Sequence, residues 1–278
     1  MKCAVWGSPI AHSLSPVLHR AAYAALGLPD WTYEAREVDE AGFDAALADL
    51  DDEWRGLSLT MPLKEVALRA ASHVTATAED TAAANTLVRG SGGWTAHNTD
   101  VNGIALALLD AGCHDTTDAT IIGSGATARS AVAALASSGT RHITFMVRTS
   151  ARSETVDQAR RAGITVSEVP MGQWSLSDVV ISTVPPAAVT GLEAFPRSDR
   201  DESPRTVLDV VYGAGRTPLQ TAAAGAGWTV QEGTVMLLHQ ATEQVSLMTG
   251  RSAPLQAMAD ALDRELAWRR RQRPGADA

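Results

Sequence analysis

Cysteine and lysine are the scarce residues of this chain. Its two cysteines, Cys3 and Cys113, stand far apart with no paired-cysteine spacing, which excludes a disulfide framework and a thiolate zinc site. The seven histidines, His12, His19, His73, His97, His114, His142 and His239, include no H-x-x-x-H pairing, so no metal site is expected. No stretch reaches the roughly 18 consecutive apolar residues of a membrane span. The amino terminus, "MKCAVWGSPI", has one basic residue and an apolar run cut by Gly7 and Pro9, too short for a signal-peptide core. A cytoplasmic, reducing setting fits these absences. A basic stripe is lacking too: the formal charge is −9, the pI is near 5.2, and the one short basic run, "WRRRQR", closes a helical pattern where cations suit the helix end. Nucleic acid is therefore excluded as a partner.

The lysine shortage is more informative. Of 23 lysines and arginines only Lys2 and Lys64 are lysine. Arginine keeps its proton at any working pH, whereas a lysine ammonium can be brought into titration. A lysine kept inside "LSLTMPLKE" of an otherwise arginine-using chain points to a proton that must move, against the alternative of chance on a solvated surface.

What is present is ordinary for a soluble globular protein: 278 residues, 45% hydrophobic and 20% charged, enough for two domains with their own cores. Along the first hundred residues "CAVWG", "WTYEAREV" and "GLSLT" read as strands. "SPVLHRAAYAALGL" reads as a helix with Ser15 as N-cap and Pro16 at the first helical position, and "EAGFDAALADL" as the helix between the second and third strands. This is the βαβ rhythm of a parallel sheet. "NTLVRG" and "GGWTAHN" are expected to pair as a hairpin over Gly90 to Gly93. A second unit follows the helix "VNGIALALLDAG", which ends at Gly112. It reads as strand, glycine turn and helix in "DATIIGSGATARSAVAALASSG", then strands at "HITFMV", "DVVIST", "TVLDVV" and "GWTVQ". "SGT" near 138 and "SDRDESP" near 198 read as loops. Helices "TVMLLHQATEQVSLMTG" and "PLQAMADALDRELAWRRRQ" close the chain before a frayed "RPGADA".

The turn "IIGSGATARSA" sets Gly123, Gly125 and Ala128 in G-x-G-x-x-A spacing between a strand and a helix. The first glycine allows the tight turn, the second lets a pyrophosphate approach, and the helix N-terminus offers N–H groups to it. An NAD site would carry an acid about 20 residues on. The next strand instead runs into "VRTSAR", where Arg148, Thr149 and Arg152 suit a ribose 2′-phosphate, so NADP is expected.

If this unit holds a nicotinamide, the first holds what it reduces. "GSPIAHSLSP", "LTMPLK" and "HNTDVNG" are polar where strands have just ended. Ser13 and Ser15 stand beside a helix N-terminus that can receive a carboxylate, although Ser-Pro is also an ordinary helix start. Thr60 and Pro62 could open a helix, and Asp100 could cap the one beginning near Val101.

Taken together, "GSPIAHSLSPVLH", "SLTMPLK", "ANTLV", "NTDVNG", "GSGATARSA", "VRTSAR", "LDVVYGAGRTPL" and "GTVMLLHQA" resemble, in order and along almost the whole chain, the shikimate dehydrogenase family. The resemblance implies an α/β fold of two domains. One is an N-terminal substrate domain with a mainly parallel sheet, residues 1–102 completed by helices at 236–278. The other is a Rossmann-like NADP domain at 103–235. It implies Lys64 and Asp100 as the catalytic pair. Ser13 and Ser15, with Tyr212, would hold the substrate carboxylate, and Thr60, Asn85 and Gln240 its ring hydroxyls. Gly123, Ser124, Gly125, Ala126 and Thr127, with Arg148, Thr149 and Arg152, would hold NADP, and Gly233 would lie near the nicotinamide. The implied activity is the NADPH-dependent, reversible reduction of 3-dehydroshikimate to shikimate. Alternatives are a quinate or aminoshikimate dehydrogenase and, from another class, a ligand-binding regulator that has lost the chemistry. A monomer and a homodimer are equally compatible. Three departures stand out: Ser58 where the family often has Asn, Val147 in place of the Asn before the arginine, and Ala126 for the last glycine of the turn.

Overall fold

The computed structural model describes residues 1–198, 205–213 and 215–272; most of the loop expected at "SDRDESP" and the whole of the tail "RPGADA" lie outside them. The chain divides into two compact units, one formed by Met1–Thr99 with Leu237–Gln272 and the other by Asp100–Met236.

The first unit is built on β1 (Lys2–Gly7), β2 (Thr32–Glu37), β3 (Trp54–Leu59), β4 (His73–Val74), β5 (Thr86–Gly90) and β6 (Gly93–His97), with α1 (Ser15–Ala25), α2 (Phe43–Ala48), α3 (Lys64–Ala70) and α4 (Ala76–Asp80) between them. Its strand order is β2-β1-β3-β5-β6-β4. The pairs β1·β2, β1·β3 and β4·β6 are parallel, while β5 runs antiparallel to both neighbours. The expected hairpin forms, with Gly90 opposite Gly93. Trp6, Leu57, Leu59, Leu87 and Phe43 are buried on one side of this sheet, Trp6 meeting Phe43 edge to face at 5.9 Å; each such side chain contributes about 1.5–3 kcal/mol by leaving water.

Two expectations are corrected here. Ser15 is not the N-cap of α1: Leu14 holds that position, and no side chain caps the helix. Val17 and Leu18 donate to the Leu14 carbonyl, so the first turn is already closed when Ser15 is reached. Helix α2 is only six residues long, because Asp39 Oδ1 accepts the Gly42 N–H at 2.8 Å and bends residues 39–42 into a side-chain turn.

The second unit comprises α5 (Asp100–Asp110), β7 (Asp118–Ile122), α6 (Ala126–Ser137), β8 (His142–Val147), α7 (Ser153–Arg161), β9 (Thr165–Pro170), β10 (Val179–Ser182), β11 (Thr206–Asp209), α8 (Pro218–Gly225) and β12 (Thr229–Glu232). Its sheet is parallel in all pairs and ordered β12-β11-β10-β7-β8-β9. Read from the β9 edge, this is the doubly wound 3-2-1-4-5-6 order, whose reversal between β7 and β10 opens a crevice at the strand C-termini. Ile121, Phe145, Val179 and Leu208 fill one face of the sheet, and Met146, Val180 and Val207 the other, as expected when both faces are covered. The sequence reading lacked β9, whose "TVSEVP" is short, polar and ended by Pro170, as an edge strand can be. Helix α9 (Gly233–Thr249) begins in this unit and continues into the first, followed by α10 (Leu255–Gln272). Among the described residues no helix is long and apolar enough to cross a membrane.

Within the first unit, α1 buries His19 completely. Its ring stacks on Tyr33 at 3.9 Å, and burial pulls its pKa down to about 3. The folded state therefore favours the neutral ring, and stability present above pH 6.5 drains away as pH falls from there toward 3. Between pH 6.5 and 5 this side chain alone is expected to remove about 2 kcal/mol. Urea unfolding of the native protein and of His19→Asn at pH 7 and pH 5 checks it; equal pH dependence in both would contradict the assignment.

Candidate active site

In the first unit the loops after β1 and β3 are laced together. Thr60 N–H donates to the Trp6 carbonyl and Ser8 N–H to the Met61 carbonyl, both at 3.0 Å. Gly7 makes this approach possible, since a Cβ there would lie 2.9 Å from the Met61 oxygen and collide with the Thr60 methyl. The peptide bonds before Pro9 and Pro62 are both cis. Ser13 follows in the first loop, and its hydroxyl accepts the Ser15 N–H at 3.3 Å; Ser15 is buried as the first residue of α1. From α10, Arg269 donates to the His12 carbonyl at 2.9 Å and to Glu265 at 2.7 Å. The terminal basic run is thus not simply solvated: one of its arginines fixes the main chain next to Ser13.

Lys64 is the first residue of α3, with Leu63 at the N-cap, so Thr60 and Pro62 lie before the helix rather than in its first turn. The Lys64 carbonyl accepts the Ala84 N–H at 2.8 Å. That bond sets the lysine turn beside Asn85, which precedes β5 and whose carbonyl takes the Leu59 N–H at 2.7 Å. Asn85 is buried and donates from Nδ2 to Thr99 Oγ1 at 2.9 Å and to Gln240 Oε1 at 3.2 Å. Ser13, Ser15, Thr60, Lys64, Asn85 and Gln240 accordingly all belong to this unit.

Asp100, Tyr212 and Gly233 belong to the other. Asp100 is the buried first residue of α5. Tyr212 sits in the segment leaving β11, which Asp209 anchors at both ends by accepting from the Thr217 hydroxyl at 2.6 Å and the Val211 N–H at 3.3 Å. Burial raises the Asp209 carboxyl above its ordinary value, and these donors partly offset it. Gly233 has a packing reason of its own: a Cβ would lie 2.5 Å from the Val210 oxygen.

The glycine turn is tight at its first glycine and open at its second. Gly123 has φ +98 and lies so close to β10's exit that a Cβ would stand 2.7 Å from Val184, whereas a Cβ on Gly125 would meet nothing within 4 Å. Gly125 is the N-cap of α6, without a side-chain cap bond, and Ala126 its first residue; a helix N-terminus is the end at which an anion is favoured. The Ser124 hydroxyl accepts the Arg152 N–H at 3.1 Å, and Thr155 donates to the Ser124 carbonyl at 2.8 Å. These bonds tie the turn to the arginine-bearing segment after β8. Arg148, Thr149 and Arg152 are exposed there. Val147 is buried in the core, so in this chain the position before Arg148 packs instead of bonding. We expect Gly123→Ala to lose about 1–3 kcal/mol of stability from left-handed strain and collision, read as a lower midpoint of thermal unfolding. An unchanged midpoint would mean that the turn relaxes without cost.

Sequence reasoning missed Tyr33, Thr86, Thr99, Gln244 and Asp209. Gln244 had a signal: it stands four residues after Gln240, on the same face of α9. Among the described residues no group of three or more His, Cys, Asp or Glu could hold a metal. Both cysteines are free, and burial raises the Cys3 thiol to about 11.

Comparison with known proteins agrees with this geometry. The family model described as the shikimate dehydrogenase substrate binding domain matches residues 5–87, and that of the shikimate 5′-dehydrogenase C-terminal domain matches 233–262. The shikimate dehydrogenase (NADP(+)) of Methanothermobacter thermautotrophicus is 33% identical over 271 residues, covering 94% of this chain and 95% of that protein. The crystal structure of Mycobacterium tuberculosis shikimate dehydrogenase superposes with a TM-score of 0.83 at 41% identity, covering 95% and 99% of the two chains. That of Thermus thermophilus shikimate 5-dehydrogenase, in complex with NADP(H) and shikimate, gives 0.80 at 28% identity over 95% and 99%. With two units built from these elements and relatives matched end to end, the chain belongs to the shikimate dehydrogenase family.

Proposed function

We propose that the protein catalyses the reversible, NADPH-dependent reduction of 3-dehydroshikimate to shikimate, with residues 1–99 and 237–272 binding the substrate and 100–236 the cofactor. The observation that carries this reading is Lys64: one of two lysines in the chain, it is fixed by its own main chain beside Asn85 and in the same unit as the serine loop. The same unit carries the hydroxyls of Ser13, Ser15 and Thr60 and the amides of Asn85 and Gln240, groups that suit a small polyhydroxylated acid.

Ser13 and Ser15 hold the substrate carboxylate, a role the family resemblance also gives to Tyr212; Thr60, Asn85 and Gln240 hold ring hydroxyls. NADPH, when bound, supplies the hydride. The start of α6 with Gly123 to Thr127 would hold its pyrophosphate, and Arg148, Thr149 and Arg152 its 2′-phosphate. Gly233, kept small by the Val210 carbonyl, lets the nicotinamide end approach. Lys64 as ammonium gives a proton to the developing alkoxide and, in reverse, as amine takes it from the hydroxyl. Asp100, which the family resemblance pairs with Lys64 in catalysis, would orient that hydroxyl. An arginine at position 64 could stabilise the charge but not exchange the proton.

The test is an initial-rate assay of purified protein pairing shikimate, quinate and aminoshikimate with NADP and NAD in turn, followed by the absorbance of the reduced nicotinamide. Fast turnover with shikimate and NADP supports the reading. Preference for quinate or aminoshikimate overturns the substrate, preference for NAD overturns the 2′-phosphate argument, and NADP binding without any turnover favours a regulator.

A further inference from the structure

Beneath Asn85 runs a buried chain of hydrogen bonds whose direction is dictated by the backbone. An amide's oxygen and nitrogen are told apart only by their partners, and here main-chain groups decide. The Thr99 N–H can only donate, so Asn85 Oδ1 faces it at 2.8 Å. The Asn85 carbonyl can only accept, so Gln244 Nε2 faces it at 3.3 Å. Likewise the Leu237 carbonyl takes Gln240 Nε2 at 2.9 Å, which turns Gln240 Oε1 toward Asn85. The hydroxyls then have one consistent order. Tyr33 donates to Ser58 at 2.6 Å, Ser58 to Gln244 Oε1 at 2.7 Å, Gln244 Nε2 to Thr86 at 2.8 Å, and Thr86 to Asn85 Oδ1 at 2.8 Å. Ser58, Thr86, Asn85 and Gln244 are all at most 3% exposed.

From this order we infer that Gln244 and Thr86 are positioning residues for substrate recognition, locking the Asn85 amide so that it offers N–H to a ring hydroxyl while Gln240 offers a carbonyl oxygen to the same group. A hydroxyl inserted between Asn85 Nδ2 and Gln240 Oε1 accepts from one and donates to the other. If the Asn85 amide were inverted, its NH2 would face the Thr99 N–H and the Thr86 hydroxyl donor, an arrangement of donors against donors in a buried place. Ser58 belongs to this support: its hydroxyl is engaged by Tyr33 and Gln244, so it acts on the substrate through Asn85. The inference rests on the proposed role of Asn85 and adds what sets its polarity.

Thr86→Val replaces one hydroxyl by a methyl of nearly the same shape, Thr86→Ser restores the donor, and Gln244→Met removes the amide at similar volume. The expected result is a rise in KM for shikimate of about tenfold in Thr86→Val and Gln244→Met, with kcat within about threefold, KM for NADP unchanged, and recovery in Thr86→Ser. A general loss of structure would not move one KM selectively. In parallel, the side-chain amide protons of Asn85, observed by NMR, are expected to exchange slowly in the native protein and faster in Thr86→Val. This second readout needs no substrate. If the native protein does not turn over shikimate but the amide behaves as described, the functional reading fails and the locking of Asn85 stands. If it does turn over shikimate, and the variants keep both KM and slow exchange, the positioning role is overturned.

Discussion

Lys64→Met is expected to lower kcat by about 10²–10⁴-fold, the usual worth of a positioned general acid or base, while changing KM for shikimate and for NADP little. In the proposed function the substrate is held by hydroxyls and amides distributed over the serine loop, Thr60, Asn85 and Gln240, so removing the ammonium takes away a proton carrier rather than the binding site. Lys64→Arg is expected to be nearly as slow, since it restores the charge but not the exchangeable proton. Steady-state kinetics of the two variants separate the possibilities. Recovery of kcat by arginine would show that only charge is needed, and a normal kcat in Lys64→Met would remove the lysine from the mechanism. The chain's composition gives this prediction its edge: arginine is used at nearly every other cationic position, and this lysine is half-buried at the start of α3.

The second large effect is expected at Arg148. It is exposed at the end of β8, followed by Thr149, and the Arg152 N–H that follows is tied to the glycine turn through Ser124. Charge-assisted hydrogen bonds to a phosphate contribute about 1.5–3 kcal/mol each. Arg148→Leu should therefore raise KM for NADP by about 10–100-fold, leave KM for NAD unchanged, and narrow the preference between the two cofactors by the same factor. Equal effects on NADP and NAD would place the arginine elsewhere on the dinucleotide, and no effect would return it to the solvated surface.

How far the sequence could be read depended on the range of the interactions involved. The hairpin at Gly90 to Gly93, the helix ending at Gly112 and the glycine turn are local, and glycines with positive φ mark the turns at Gly93, Gly112 and Gly123. The βα rhythm indicated a parallel sheet, whereas its doubly wound order and its edge strand β9 are set by tertiary pairing. Misreadings arose where a side chain competes with the backbone. Ser15 looks like a cap beside Pro16, yet Leu14 already closes the turn and the neighbouring Ser13 receives the Ser15 N–H. Hidden altogether was the support of the site. Ser58 and Gln244 are 186 residues apart, and no local pattern says that a strand serine and a helix glutamine share a bond. Arg269, within a run that reads as a solvated helix end, holds the chain at His12 by a contact 257 residues distant. Motif spacing indicates which residues meet a ligand, whereas the groups that orient them come from tertiary packing.

The central claim, that hydride passes to 3-dehydroshikimate in this protein, is tested most directly by incubating it with that ketone and NADPH carrying deuterium in both positions at nicotinamide C4, then weighing the product by mass spectrometry. The account predicts shikimate containing one deuterium, formed rapidly by the native protein and very slowly by Lys64→Met. Unlabelled shikimate, or none from a native protein that binds both compounds, would contradict it.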